Sequence, residues 1–225
     1  MNRIIAVSSG KGGVGKSIVA TTMALALAEK GLSVGLLDLD FTSPSTHVIL
    51  GAEGLYPEED YGIVPPIIHG LKYISIVHYS LDEPVPLRGE DVSNAIIELL
   101  AITRWGELDT LIVDMPPGIG DATLDTLRLV PRIEFIVVTT PSRVAYQSVK
   151  RLLVLLKELK IPIIGVLENM VISRSRYVED EVKGLGLRYL GALDYDEELE
   201  AAIGNSDKLL KTRFSKSLSD FVNVL

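Results

Sequence analysis

The sequence predicts a doubly wound α/β fold, a mostly parallel sheet with helices on both faces, and three observations carry that reading. Short apolar, β-branched runs alternate with longer segments of helical period, the pattern of repeated βαβ units. The first of these runs ends in a glycine-rich turn that opens directly into a helical segment. Finally, the 225 residues are 47% hydrophobic and 23% charged, a composition that can bury a substantial core.

Taken in order, RIIAVS makes a strand over 3–8, and the helical period begins where the glycines stop, over 16–30. SVGLLDL gives a strand over 33–39. Residues 51–68 place Glu58, Glu59 and Asp60 ahead of Pro65 and Pro66 and read as a surface loop. A strand over 71–77 and a helix over 90–104 follow, then a strand over 108–114 that closes on an acid, and a helix over 121–130. The remaining strands are 134–140, 161–167 and 188–193; the remaining helices are 142–160, 195–203 and 214–225. Residues 172–187 mix charges with glycines and read as an excursion above the sheet. Neither a repeat nor a linker breaks the chain, so residues 1–225 are expected to form a single domain.

Composition excludes several functions. Lysine and arginine total 22 against 30 acids, a formal charge of −8, the wrong sign for general nucleic-acid binding. With 0 cysteines the chain has no thiol nucleophile, no Cys-ligated zinc and no iron–sulfur cluster held by its own thiolates. The opening apolar stretch is far shorter than a secretory signal, and no apolar run approaches the ~18 residues of a membrane span. The expected location is the cytoplasm, with no membrane contact.

GKGGVGKS over 10–17 fits the phosphate-loop pattern, in the strand-to-helix context that the pattern needs. Gly10, Gly12, Gly13 and Gly15, with Val14 among them, let successive backbone N–H groups converge on an anion, and the helix N-terminus adds to their field. Lys16 then reaches the β and γ phosphates while the Ser17 hydroxyl ligates magnesium. ATP and Mg²⁺ are the expected ligands. Lys11 cannot share the cradle with Lys16 and must act elsewhere.

Asp38 and Asp40, in LLDLDFTSPS, share one strand face at the carboxyl edge of the sheet, where open α/β folds bind ligands. They fit either chemistry at the phosphates or capping of a following short helix, with Ser43 and Ser45 as rivals for the cap. Asp114 ends an apolar strand in the Walker B manner, beside the magnesium. The turn formers after it, Pro116, Pro117, Gly118 and Gly120, make a loop poised at the γ-phosphate that relaxes when that phosphate leaves. Asp121 fits a helix N-cap or a residue of that switch.

The loop KGGVGKS resembles the deviant Walker A motif of the MinD, ParA, nitrogenase iron protein and Mrp/ApbC group. The strings WGELDTLIVDMPPGIGDATL, IVVTTPSRVAYQSVKRL and IPIIGVLENM look most like the Mrp/ApbC iron–sulfur carrier ATPases, and PVPLRGEDVSNAI keeps Arg88 and Gly89 of a further family segment. The resemblance implies a homodimer closed over nucleotide, with Lys11 completing the partner's site, Asp40 orienting the attacking water, Asp38 supporting it near the metal, and Asn169 reading the adenine edge. The family also carries a Cys-x-x-Cys pair shortly after the ENM string that clamps a bridging cluster. Here the chain continues VISRSRYVED, and serine oxygens are too hard to replace thiolates. The resemblance therefore implies the ATPase engine, with any iron–sulfur role requiring a cysteine-bearing Mrp-like paralogue or an iron–sulfur client.

Two other uses of the same engine are a MinD/ParA-type positioning ATPase and a nucleotide-gated dimeric scaffold. The positioning reading turns on the C-terminal helix. Phe214, Leu218, Phe221 and Leu225 fall on one face, near Lys208, Lys211, Arg213 and Lys216, and that face docks either on the body or on a membrane. His47, His69 and His78 have no ligand spacing and read as structural or surface residues.

Overall fold

A computed structural model describes residues 2–80 and 90–223. Arg88, Gly89 and Leu225, named above, lie outside the described residues. In chain order the elements are β1 (Arg3–Ser9), α1 (Lys16–Glu29), β2 (Val34–Asp38), α2 (Thr46–Leu50), β3 (Glu58–Glu59), β4 (Ile63–Val64), β5 (Ile67–Ile68), β6 (Leu71–Ser75), α3 (Val77–Ser80) and α4 (Glu90–Ile102). They continue with β7 (Thr110–Asp114), α5 (Asp121–Leu129), β8 (Ile133–Thr139), α6 (Arg143–Glu158), β9 (Ile163–Val171), α7 (Tyr177–Gly184), β10 (Tyr189–Asp194), a 3₁₀ turn (Glu200–Ala202), α8 (Ser206–Lys211) and α9 (Arg213–Val222).

Eight strands form one sheet in the order β10-β9-β8-β1-β7-β2-β6-β5. Every neighbouring pair is parallel except β5 with β6, a short antiparallel edge. Alternation within each strand divides the core between the two faces. Ile5, Val7, Leu36, Ile112, Ile136 and Val138 pack with α1, α2, α8 and α9. Ala6, Leu37, Leu111, Val113, Phe135 and Val137 pack with α4, α6 and α7 on the other side. Helix α1 is apolar nearly all round because it is sandwiched between the sheet and α9; Val19, Ala20 and Ala24 are fully buried. Helix α6 instead buries one stripe, Tyr146, Val149, Leu152, Leu153 and Leu156, and begins where Ser142 accepts a hydrogen bond from the Ala145 amide at 3.3 Å.

Several expectations are corrected. The strand expected over 161–167 runs on to Val171, so Asn169 lies within β9 and not in a turn after it. The excursion at 172–187 contains α7, whose Val178 and Val182 are buried in the core. The helix expected over 195–203 is reduced to a 3₁₀ turn. The chain then enters α8, capped by Asn205, which accepts from the Lys208 amide at 2.9 Å. The strand expected over 71–77 stops at Ser75 and turns into α3. Helix α9 docks on the body: Phe214, Leu218 and Val222 are at most 4% exposed, and a side chain added at Gly191 would stand 2.6 Å from the Phe221 ring. Among the described residues, that apolar face packs against α1 and β10.

Candidate active site

Strand order reverses at β1, whose neighbours are β7 on one side and β8 on the other, and the carboxyl ends of the strands at such a reversal are where open α/β sheets bind ligands. Register sets its contents. Val7 stands beside Asp114, and Asp114 stands beside Asp38, so the chain leaving β1 and two carboxylates reach the edge at one level.

The loop after β1 is shaped by close approach. A Cβ at Gly10 would lie 2.3 Å from the Val149 nitrogen, because the loop rests against the backbone of α6. Gly15 holds a φ of 81° as the N-cap of α1, and a side chain there would strike the Asn169 amide at 2.3 Å. The Ser9 hydroxyl donates to the Lys11 carbonyl at 2.9 Å, and the Asn169 amide donates to the Val14 carbonyl at 2.9 Å. Asn169 is thus 97% buried beneath the loop, and Met170 adopts a φ of 59° immediately after it, a conformation rare in non-glycine residues and concentrated at functional sites. Gly12 and Gly13 are exposed, as is Lys11, while Val14 and Lys16 are buried.

Lys16 is the hub. Its ammonium donates to Asp114 Oδ1 at 2.7 Å and to the Ser17 hydroxyl at 3.2 Å, and it stands 3.5 Å from Asp40 Oδ2. Asp114 is completely buried, and burial pushes its carboxyl up to about 7 even though Lys16 pulls the other way. Its second oxygen, Oδ2, is buried with no hydrogen-bond partner, whereas both oxygens of Asp38 are bonded.

The two acids after β2 have separate surroundings. Asp40 Oδ1 accepts from the Thr42 hydroxyl at 2.7 Å and from the Thr42 and Ser43 amides, which leaves Oδ2 toward Lys16. Asp38 is fully buried; its Oδ1 accepts from the Asp40 amide at 2.9 Å and its Oδ2 from the Thr46 hydroxyl at 2.6 Å and the Thr46 amide at 3.3 Å. Both alternatives read from the sequence therefore have a counterpart: Asp38 serves the first residue of α2, whereas Asp40 faces the phosphate-loop lysine. Ser45 occupies the N-cap position without a side-chain hydrogen bond. Asp38 reaches the site through the Asp40 backbone.

The segment after β7 lies against the phosphate loop. Gly118, at a φ of 82°, donates its amide to the Ser9 carbonyl at 2.8 Å, and its carbonyl accepts from the Thr123 hydroxyl at 3.1 Å. Pro117 is half-buried beside it, and Gly120 is exposed. The N-cap of α5 is Gly120, so Asp121 is the first helical residue, where its charge favours the helix dipole without capping it.

Thr46 and Tyr73 were missed by sequence reasoning. The Tyr73 hydroxyl meets Thr46 Oγ1 at 2.9 Å deep beneath Asp38. A threonine eight residues beyond an aspartate carries no pattern, and a tyrosine inside an apolar strand reads as packing. Among the described residues no group of three or more His, Cys, Asp or Glu converges as a metal site.

Against this geometry stand the comparisons with known proteins. A family model described as ParA, NUBPL iron-transfer P-loop NTPase, matches residues 1–220. An iron-sulfur cluster carrier protein of Aquifex aeolicus is 38% identical over 215 residues, covering 88% of this chain and 59% of that protein. The nucleotide-binding protein of Archaeoglobus fulgidus, solved in complex with ADP, superposes with a TM-score of 0.78 at 28% identity over 93% of this chain and 88% of its own. The septum site-determining protein MinD of Pyrococcus horikoshii, solved with Mg-ADP, shares the fold with a TM-score of 0.76 at 18% identity, covering 100% and 96% of the two chains. The chain spans only 47–61% of the length of the first curated relatives it matches.

Proposed function

This chain belongs to the NUBPL-type family of iron-transfer P-loop NTPases, and from that premise we propose that it binds ATP with magnesium, hydrolyses it slowly, and couples hydrolysis to iron–sulfur cluster handling. The observation that carries the reading is the convergence of Lys16, Asp40 and Asp114 beneath the 10–17 loop, with Asp114 Oδ2 buried and unpaired.

In this reading the amides of residues 10–17 hold the phosphates, and Lys16 exchanges Asp114 and Asp40 for the β and γ oxygens. The exchange leaves Asp40, pinned through Oδ1, with a free Oδ2 to orient a water toward the γ-phosphate. Ser17 Oγ and Asp114 Oδ2 fit magnesium, being hard oxygen donors with an open position. When bound, the ion supplies neutralisation of the phosphate charge. Lys11 is exposed while Lys16 is buried, which suits a residue that completes the site of a second copy in a homodimer closed over nucleotide. In this reading the 117–121 segment relaxes when the γ-phosphate leaves, the switch of the cycle. Asn169 holds the loop from below through the Val14 carbonyl, and reading the adenine edge is the role that the family resemblance gives it.

The cluster is cargo. Soft iron–sulfur centres need thiolates, and these 225 residues contain none. A cysteine-bearing paralogue or an iron–sulfur client therefore supplies the ligands. The covered face of α9 supports this reading over membrane positioning. The test is single-turnover phosphate release. Wild type is expected to exceed Asp40→Ala by on the order of a hundredfold or more; equal rates would remove Asp40 from the chemistry and favour a nucleotide-gated scaffold.

A further inference from the structure

Asp38 is a fully buried carboxylate that touches neither Lys16 nor the phosphate loop by hydrogen bond, yet three protein donors converge on it and a fourth group, the Tyr73 hydroxyl, stands behind one of them. Its Oδ1 accepts the amide of Asp40, and its Oδ2 accepts the amide and hydroxyl of Thr46. Thr46 Oγ1 then meets the Tyr73 hydroxyl, and Tyr73 is a β6 residue with 0% exposure.

Proton counting gives this chain a direction. A threonine hydroxyl has a single hydrogen. Burial raises the Asp38 carboxyl above the usual carboxylate range, and the Thr46 hydroxyl and two backbone amides that donate to it pull the other way. The geometry gives the Thr46 hydrogen to Asp38, and with that hydrogen used the Tyr73 hydroxyl is the donor to Thr46. The order is Tyr73 to Thr46 to Asp38, and Asp38 in turn fixes the amide of Asp40. All of these groups are buried, so no water replaces a missing donor, and a misplaced Asp38 carries the 38–43 turn with it.

We propose that Thr46 and Tyr73 are positioning residues for ATP hydrolysis: through Asp38 they hold the backbone of Asp40 so that its carboxylate stands opposite Lys16. The inference rests on the reading of Asp40 as the water-orienting residue. Neither residue touches nucleotide, so their removal lowers kcat and leaves ATP affinity and KM nearly unchanged. A 1 Å misplacement of a reacting group costs on the order of a hundredfold, and the expected loss for Tyr73→Phe or Thr46→Val is about ten- to a hundredfold in kcat.

The test is steady-state ATPase kinetics of the full chain for Tyr73→Phe, Thr46→Val, Thr46→Ser and Asp40→Ala, with ADP titrations and thermal melts on each. Thr46→Ser keeps the hydroxyl and is expected to recover most of the rate lost in Thr46→Val, a rescue that a volume or packing role would not produce. Tyr73→Phe placed on Asp40→Ala is expected to add no further loss, because it acts through Asp40. Unchanged kcat in Tyr73→Phe and Thr46→Val beside an impaired Asp40→Ala overturns the positioning role alone. An Asp40→Ala variant as fast as wild type overturns the catalytic reading and this inference with it. Equal losses in kcat and in ADP affinity would show general damage to the site and also overturn the proposal.

Discussion

Lys16, Asp40 and Asp114 hold one another beneath the 10–17 loop, and that mutual restraint has measurable consequences at single positions. Asp114 rises to about 7 from 3.8 because burial outweighs the pull of Lys16. Between those values the native state holds a proton that the unfolded chain has released, so this residue makes stability fall as pH rises through the window. His78 is shifted the other way, from 6.5 to about 4, again by burial; there the unfolded chain binds the extra proton, and stability rises with pH. The two slopes oppose each other in wild type. Asp114→Asn is expected to remove the first, so that urea midpoints of nucleotide-free protein climb relative to wild type between about pH 4 and 7; parallel curves would contradict the burial-driven shift. Gly10→Ala is expected to destabilise by about 1–3 kcal/mol or more, since its Cβ would meet the backbone of α6 at 2.3 Å and neither side has a flexible end to move. Thermal melting of the variant checks it.

At the scale of elements, α9 is an apolar stripe with a place to go. Leu218 is 2% exposed in the core that α9 shares with α1 and the sheet, and Leu218→Ala is expected to cost about 2–5 kcal/mol. The same docking means that vesicle flotation should leave the protein in solution with or without ATP; ATP-dependent flotation would show that the face is released. What the sequence made legible follows a physical line. The strands around β1, β7 and β8 are apolar, β-branched and closed by turn formers, so their period settles them within about two residues. Helix α7 and the start of α8 were hidden because their buried residues are few, Val178 and Val182 in one and Leu209 in the other, too few to impose a period. The extension of β9 to Val171 was hidden because Glu168 and Asn169 look like turn residues; pairing with β8 and β10 keeps this segment in the sheet, and Tyr189 and Val14 hold the two side chains.

Across the whole molecule, the site is the product of topology: eight strands in one order bring residues 16, 40 and 114 to a single edge. The phosphate loop and both flanking acids were legible because glycine spacing and strand-ending aspartates are local patterns. The Tyr73 and Thr46 support was not, since it joins residues on separate elements that meet only in the folded chain. The dimer reading has its own expectation at this scale. With ATP and an Asp40→Ala block, sedimentation should show a two-chain species that Lys11→Ala weakens; an unchanged monomer would remove the role in trans. Reconstitution with iron and sulfide should give cluster absorbance only when a cysteine-bearing relative is mixed in, and a cluster on the isolated chain would contradict the cargo assignment.

The most direct measurement is titration calorimetry of Mg-ATP into the full chain alongside Lys16→Ala. Saturable heat near one nucleotide per chain, lost in the variant, is the expected result. Flat heats in wild type, or equal binding with alanine at position 16, would contradict the claim that this loop grips triphosphate.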